Sequence, residues 1–226
     1  MRQRIGIVLG AIVLLAAGLM LAMQPTGAEE PQQYEAREIY SEAAPAVFYL
    51  RNLTADGALR SVGSGVLIEA DGTAVTAYHV VKSAERLEAI MADGSLVTGI
   101  TVTAYDALTD AAVLQFPSRP AGAAPYPSVS LRTADAVHGE PVFAIGYPLK
   151  ETPVITEGIV NAPAAVINGR ERVLVSAQIA SGMSGGPVLD ARGRLAGVVS
   201  GSLRTIDGIH LVVGAKQLQA AMSDPG

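Results

Sequence analysis

The sequence predicts an all-β fold, and three observations carry that reading. Apolar residues come in short runs broken by turn residues, such as Ala46–Leu50, Ser64–Glu69 and Thr73–Ala77. Asp71-Gly72 stands between two of these runs, a strong short-range hairpin signal. Aromatic residues make up only 4% of the chain and Trp is absent, while Val, Ala and Gly are plentiful, which suits a core of small, branched side chains. With 226 residues, half of them apolar, the chain is long enough for a sizeable core in one domain or two closely packed halves.

Charge and cysteine narrow the classes further. The formal charge is −5 with no basic cluster, which argues against nucleic acid as a partner. Without cysteine there is neither a disulfide nor a thiolate metal site, and three scattered histidines lack metal-ligand spacing. No metal and no cofactor is expected.

Residues 1–28 read as a targeting segment. Met1-Arg2-Gln3-Arg4 is basic, and residues 5–23 carry no charge. At about 1.5 Å per residue this run nearly spans a hydrocarbon core of about 30 Å. It exceeds the roughly 7–15 residues of an ordinary signal-peptide core, which favours a membrane anchor. Small residues at Thr26-Gly27-Ala28 keep a cleaved signal peptide open as the alternative. Arg2 and Arg4 place the rest of the chain across the membrane, on its outer face if anchored and periplasmic or secreted if cleaved. Residues 29–45 form a polar stalk and a short helix over Tyr34 to Ala44, ended by Pro45.

Residues 46–128 form the first half with its linker. His79 follows the strand Thr73–Ala77 directly, a position where a rigid scaffold can present a functional side chain. Strand signals at Leu87–Met91 and Leu96–Val102 lead to Tyr105-Asp106-Ala107-Leu108-Thr109-Asp110, which runs into Ala111–Phe116. Asp110, at the mouth of that strand, is favoured as the carboxylate that meets a histidine Nδ1–H; Asp106, the competitor, lies where an aspartate commonly caps its own turn. Pro117–Ser128 is the link between the halves.

Residues 129–226 hold strand signals at Pro141–Pro148, Val154–Asn161, Arg172–Gln178 and Ile209–Val213, then a helix over Ala215–Met222. His138 reads as exposed and His210 as a strand residue. Between the last strands stands Ser181-Gly182-Met183-Ser184-Gly185-Gly186-Pro187. A serine nucleophile needs a base beside it and backbone donors aimed at the developing oxyanion, and glycines free the backbone to supply such donors. The α/β-hydrolase elbow reading fails on context, because Pro187-Val188-Leu189 leads into a strand and not a helix. Alone, the motif reads equally as a glycine-rich turn; a histidine and a carboxylate in workable order decide for the nucleophile.

The order His79, Asp110, Ser184 is that of the trypsin-like enzymes. Gly63-Ser64-Gly65-Val66-Leu67-Ile68, Asp71-Gly72, Thr76-x-x-His79-Val80-Val81, Thr109-Asp110-Ala111-Ala112-Val113-Leu114 and Gly182–Pro187 together resemble the HtrA (DegP/DegS-like) trypsin-like serine proteases over roughly Ala46 to Met222. The resemblance implies a double β-barrel with the triad between the barrels. It implies His79 as base, Asp110 as orienting carboxylate, Ser184 as nucleophile and the N–H groups of Gly182 and Ser184 as oxyanion hole. Val199, Ser200 and Gly201 would pair with an extended protein or peptide substrate, and a homotrimer is common in the family.

Three departures stand out. Met183 occupies a position where HtrA proteins usually have Asn and animal trypsin-like zymogens Asp, so activation by a charge pair is not expected. Tyr78 replaces a small or amide residue and is expected to narrow the cleft. The chain stops soon after the terminal helix, so PDZ-based regulation is not expected of it. Gln178 and Ile179 approach the primary specificity pocket by alignment of the loop and are uncharged, which predicts small or medium apolar side chains there. The resulting expectation is a cell-envelope serine endopeptidase; a membrane-tethered peptide-binding or stress-sensing module with a latent protease fold is the alternative.

Overall fold

The computed structural model describes residues 33–203 and 205–223. The expected targeting segment, with its apolar run at 5–23, lies outside the described residues. Among the described residues no helix is long and apolar enough to cross a membrane.

The first closed barrel has the strand order β1-β2-β3-β6-β5-β4. Its strands are β1 (Val47–Leu53), β2 (Leu59–Leu67), β3 (Thr73–Ala77), β4 (Arg86–Ile90), β5 (Leu96–Asp106) and β6 (Ala111–Gln115). The β2–β3 hairpin pairs Val66 with Val75 and Leu67 with Ala74. Its turn is built by Asp71, whose Oδ1 accepts the Thr73 N–H and hydroxyl at 2.8 Å each. The second closed barrel runs β10-β11-β12-β9-β8-β7. It comprises β7 (Pro141–Leu149), β8 (Thr152–Ile167), β9 (Arg170–Val175), β10 (Pro187–Asp190), β11 (Leu195–Ser202) and β12 (His210–Gly214). The expected all-β double barrel is therefore the architecture observed.

Boundaries differ where prolines and bulges mislead. The strand expected at Val154–Asn161 is β8, which continues through Pro163 to Ile167. The register against β9 shifts between Val160 and Ala162 and again between Ala162 and Ala165, and a proline sits at such an irregularity without breaking a regular ladder. β5 likewise extends past Val102 to Asp106 through a shift between Val102 and Ala104. Pro141 and Pro187 open their strands, where a missing N–H is tolerated.

Three helices complete the described chain: α1 (Ala36–Ala43), the single turn α2 (Tyr78–Val81) and α3 (Ala215–Ser223). α1 begins at a reciprocal capping box between Glu35 and Glu38 and buries Ile39 and Ala43. It runs into a 3₁₀ turn, Ala44–Ala46, with Pro45 inside it. α3 crosses back onto β5 and β6 of the first barrel, burying Leu218 and Ala221 and fastening one barrel to the other. Complete burial of a leucine such as Leu218 is worth about 1.5–3 kcal/mol.

The few aromatics are concentrated. Phe48 packs edge-on against Phe116 at 4.9 Å, and Phe116 against Tyr126 at 5.6 Å. Tyr147 of β7 is buried and donates its hydroxyl to the Val47 carbonyl of β1 at 3.2 Å, so the core passes without a break from one barrel into the other. The seam between the barrels is thus a packed interface that holds loops from both in fixed relation.

Candidate active site

Asp110 organises the first half of the site. It immediately precedes β6 with φ +65°, in the left-handed region that aspartate tolerates better than most residues. There its carbonyl accepts the Tyr78 N–H at 2.9 Å and its Oδ1 accepts the His79 N–H at 2.9 Å. A helix leaves its first N–H groups without intrahelical acceptors, so Asp110 caps the very turn, α2, that presents His79. His79 Nδ1 then lies 3.1 and 2.9 Å from Asp110 Oδ1 and Oδ2. Sequence reasoning ran β3 directly to His79; the structure places His79 within the helical turn Tyr78–Val81, which this cap supports.

The carboxylate is buried, with 12% of its side chain exposed, whereas the His79 side chain is 47% exposed. Burial pushes the Asp110 carboxyl up, but hydrogen bonds from His79 and from Ser200 outweigh it and hold the carboxyl below the ordinary aspartate value. The Ser200 hydroxyl donates to Asp110 Oδ2 at 2.6 Å across the barrel seam. Asp106 is differently employed: its carboxylate accepts the Leu108 and Thr109 N–H groups and the Thr109 hydroxyl, closing its own turn.

The Ser184 loop belongs to the second barrel and reaches back across the seam. The Ser184 carbonyl accepts the Ser64 N–H at 2.7 Å. The Ser64 hydroxyl donates to the Gly182 carbonyl at 2.8 Å and accepts the Tyr147 N–H at 2.9 Å, so one side chain ties loop, β2 and β7 together. Space is tight. A Cβ on Gly63 would lie 2.7 Å from both the Ser184 carbonyl and a Val80 methyl, so the Ser184 loop and α2 meet at that one residue. A Cβ on Gly185, which has φ +81°, would lie 2.1 Å from Thr76 Oγ1 and 2.3 Å from the Ser64 carbonyl, and only glycine fits both the angle and the gap.

Backbone donors in the loop alternate in use. Met183 N–H donates to Ala180 O, Gly185 N–H to Val199 O and Gly186 N–H to Met183 O. The N–H groups of Gly182 and Ser184 have no acceptor among the described residues, and the Ser184 hydroxyl makes no hydrogen bond there either. Gly182 has φ +96°. Such unengaged donors beside a serine can receive an oxygen that becomes negative.

Met183 is 1% exposed and lies in the second barrel's cluster with Val142, Ala144 and Val188. Its backbone and Cβ approach within 2.9 Å of where a Gly146 Cβ would stand, and its sulfur accepts the Ala180 N–H at 3.4 Å. The loop is held here by apolar packing, with no ion pair beneath Ser184 among the described residues. Tyr78, expected to narrow the cleft, stacks on Tyr105 at 4.6 Å.

The residues expected to meet substrate divide. Gln178 is exposed, its carbonyl accepting the Thr156 hydroxyl at 2.8 Å, and Ile179 is half-buried against the second cluster. Ser200 and Gly201 are half-buried at a bulge in β11, beyond the last residue of that strand that pairs with β10. Val199 departs from expectation. It is fully buried, and its N–H and carbonyl are taken by Gly186 and Gly185 because the strand folds against the loop at that point. Sequence reasoning missed Ser200 as a partner of Asp110 and Ser64 as the loop tie; neither has a local pattern, since each acts on a residue 90 or more positions away. His210 is buried with Nδ1 2.8 Å from Ser202 Oγ, Nε2 lacks a partner among the described residues, and burial pushes its pKa down. His138 is exposed.

Comparison with known proteins bears on the fold and the family. Residues 63–198 match a family profile described as a trypsin-like peptidase domain. The chain is 31% identical over 211 residues to the serine endoprotease DegS of Escherichia coli K12, covering 86% of this chain and 58% of that protein. It is 33% identical over 147 residues to a putative serine protease, HhoB, of Synechocystis, covering 62% of this chain and 34% of that one. Among solved structures, a serine endoprotease from Yersinia pestis superposes with a TM-score of 0.73 at 28% identity, covering 86% of this chain and 67% of its own. The chain thus spans about three fifths of the length of the DegS relative.

Proposed function

The chain belongs to the trypsin-like peptidase family, with DegS and other HtrA-type serine proteases among its relatives, and from that premise we propose that it is a serine endopeptidase acting on protein substrates. The observation that carries the reading is the His79–Asp110 pair at 2.9 Å, held by the same residue that caps the histidine's own helix, across one glycine from the Ser184 loop.

In the proposed reaction His79 takes the Ser184 hydroxyl proton as the oxygen attacks the scissile carbonyl carbon. The N–H groups of Gly182 and Ser184 receive the oxyanion. Collapse of the tetrahedral species breaks the C–N bond, His79 gives its proton to the leaving amine, and the acyl group stays on Ser184 as an ester. Water, deprotonated by His79, then attacks the ester and returns the free serine and a carboxylic acid. Asp110 keeps the imidazole in one orientation and stabilises its charged form throughout. An extended substrate would lie along Ser200 and Gly201, with Gln178 and Ile179 near its primary side chain.

A second reading, a tethered peptide-binding module with a latent site, is favoured by one observation: the Ser184 hydroxyl makes no hydrogen bond to His79. Exposure of the full chain to a fluorophosphonate, followed by intact-mass measurement with Ser184→Ala as control, separates the two. An endopeptidase gains one adduct that the control lacks; a folded protein that gains none is latent. For location, the uncharged run at 5–23 behind Arg2 and Arg4 supports an anchor that holds the catalytic unit on the outer face of the cytoplasmic membrane. An anchored chain stays with the membrane after alkaline carbonate extraction at its full mass, and a shortened chain in the soluble fraction refutes the anchor.

A further inference from the structure

The second barrel buries a histidine that the proposed reaction does not use. His210 opens β12, is 6% exposed, and has its Nε2 buried with no hydrogen-bond partner among the described residues. Its other ring nitrogen, Nδ1, lies 2.8 Å from the hydroxyl of Ser202, which is exposed. A neutral imidazole carries a single proton, so Nε2 is left as a donor or an acceptor with nothing to meet, and a buried polar atom in that state is costly. A counter-charge is missing too. Burial alone pushes the His210 pKa down, with no contribution from a charged group among the described residues.

The place of this ring in the fold ties it to the Ser184 site. β12 starts between two strands, with His210 paired to Ser202 of β11 on one side and to Val175 of β9 on the other. Paired residues share a face of the sheet, and so do residues two apart along a strand. Val175 and Val212 both belong to the second barrel's inner cluster, so His210 faces the barrel interior with them. It does so where β9 gives way to residues 176–180 and β11 has just passed its irregularity between Val199 and Gly201. Residues 176–180 lead into the Ser184 loop and include Gln178 and Ile179, while Ser200 donates to Asp110. On the peptidase reading these two segments flank the substrate's primary side chain, and His210 is the strand residue that joins them.

We propose that His210 and Ser202 recognise the primary side chain of the substrate, and that this side chain is acidic. The inference deepens the peptidase reading and rests on it. A carboxylate would accept from Nε2–H and supply the counter-charge for an imidazolium whose Nδ1–H is held by Ser202 Oγ, leaving no ring nitrogen unpaired. An amide fills the hydrogen bond without the charge. An alkyl side chain fills neither, and a site with a buried polar group discriminates against a substrate that leaves it unpaired. The apolar preference expected from Gln178 and Ile179 alone is thereby replaced.

The test uses the full chain in non-ionic detergent and peptides that differ only in Glu, Gln or Val before the scissile bond. A charge-assisted hydrogen bond in place of a neutral one should favour Glu over Gln by about 10- to 100-fold in kcat/KM. The ratio should rise as pH falls from about 8 towards 5.5, because the imidazolium gains while glutamate, with an ordinary value of about 4.3, stays ionised. The requirement for neutral His79 cancels in the ratio. His210→Gln should bring the ratio to near one; if that variant does not fold, Ser202→Ala, at an exposed position, should lower it. A preference for Val, a wild-type ratio near one, or a ratio unchanged in the folded variant overturns the proposal and leaves the peptidase reading standing. If neither the fluorophosphonate nor any peptide reacts, it is the peptidase reading that fails, and ¹⁵N NMR of the His210 ring during titration with the same peptides decides the pocket. A shift of the ring nitrogens towards the imidazolium with the Glu peptide alone upholds it; no shift, or one common to all three peptides, overturns it.

Discussion

The two halves of the site are fixed by different physics. On the first-barrel side, His79 and Asp110 are placed by directed polar contacts: the Tyr78 and His79 N–H groups onto Asp110, Nδ1 onto its carboxylate, and Ser200 onto Oδ2. On the second-barrel side, the Ser184 loop is placed by contact and exclusion, with Met183 sealed into the core and Gly146 and Gly185 leaving no room for a Cβ, and its hydrogen bonds run chiefly to backbone, to the Ser64 N–H and to Val199, with the Ser64 hydroxyl as its side-chain tie. Polar placement tolerates a change of shape and not a change of chemistry. Packed placement does the reverse. The contrast predicts that mutations in one half fail in activity with the fold intact, and in the other fail in stability first.

The largest effect is expected from Asp110→Asn, which is nearly isosteric and leaves the α2 cap geometrically available but removes the charge and one of the two acceptor oxygens that face the imidazole. Turnover on a peptide substrate should drop by about 10⁴-fold with little change in melting temperature. Asp106→Asn touches only its own turn and should leave turnover near wild type. The reverse result would mean that the wrong carboxylate has been assigned. Next comes Met183→Ala on the packed side. Emptying a fully buried methionine should cost about 2–5 kcal/mol in urea unfolding, with activity lost in parallel because the loop loses its anchor. An unchanged unfolding midpoint with lost activity would erase the distinction between the halves.

The same contrast decides what the sequence made legible. Strand-and-turn rhythm and the Asp-Gly hairpin marked the first barrel, since these are local signals. The bend of the Ser184 loop was legible because its glycines answer a local demand of the backbone, with positive φ at Gly182 and Gly185. Asp110 could be preferred to Asp106 because a turn-capping aspartate has a local signature, and the structure shows Asp106 in that use. The cross-seam contacts were hidden. Ser200 reads as one more small residue in Val-Val-Ser-Gly, and only the closing of the second barrel onto the first brings it to Asp110. Val199 was misplaced for a related reason: its backbone is engaged by Gly185 and Gly186, a pairing set by the folding of the loop onto β11 and without a local signal.

Ser200→Ala is the smallest of the effects and the one that sharpens the comparison most. A hydrogen bond to a charged group contributes about 1.5–3 kcal/mol, so losing all of it in the chemical step would slow turnover roughly 10- to 100-fold. Because Ser200 is only half-buried, water can take its place, and the loss should fall near the lower figure. The stability consequence has a defined sign. Ser200 helps hold the Asp110 carboxyl below its ordinary value. Its contribution is present above the unfolded aspartate value of about 3.9 and disappears as pH falls through the lower folded value. The difference in unfolding free energy between Ser200→Ala and wild type should therefore be full at neutral pH and shrink in strong acid, as measured by urea titration across that range. A pH-independent difference would mean that Ser200 stabilises the seam by packing, and the first half of the site would then be held in the same way as the second.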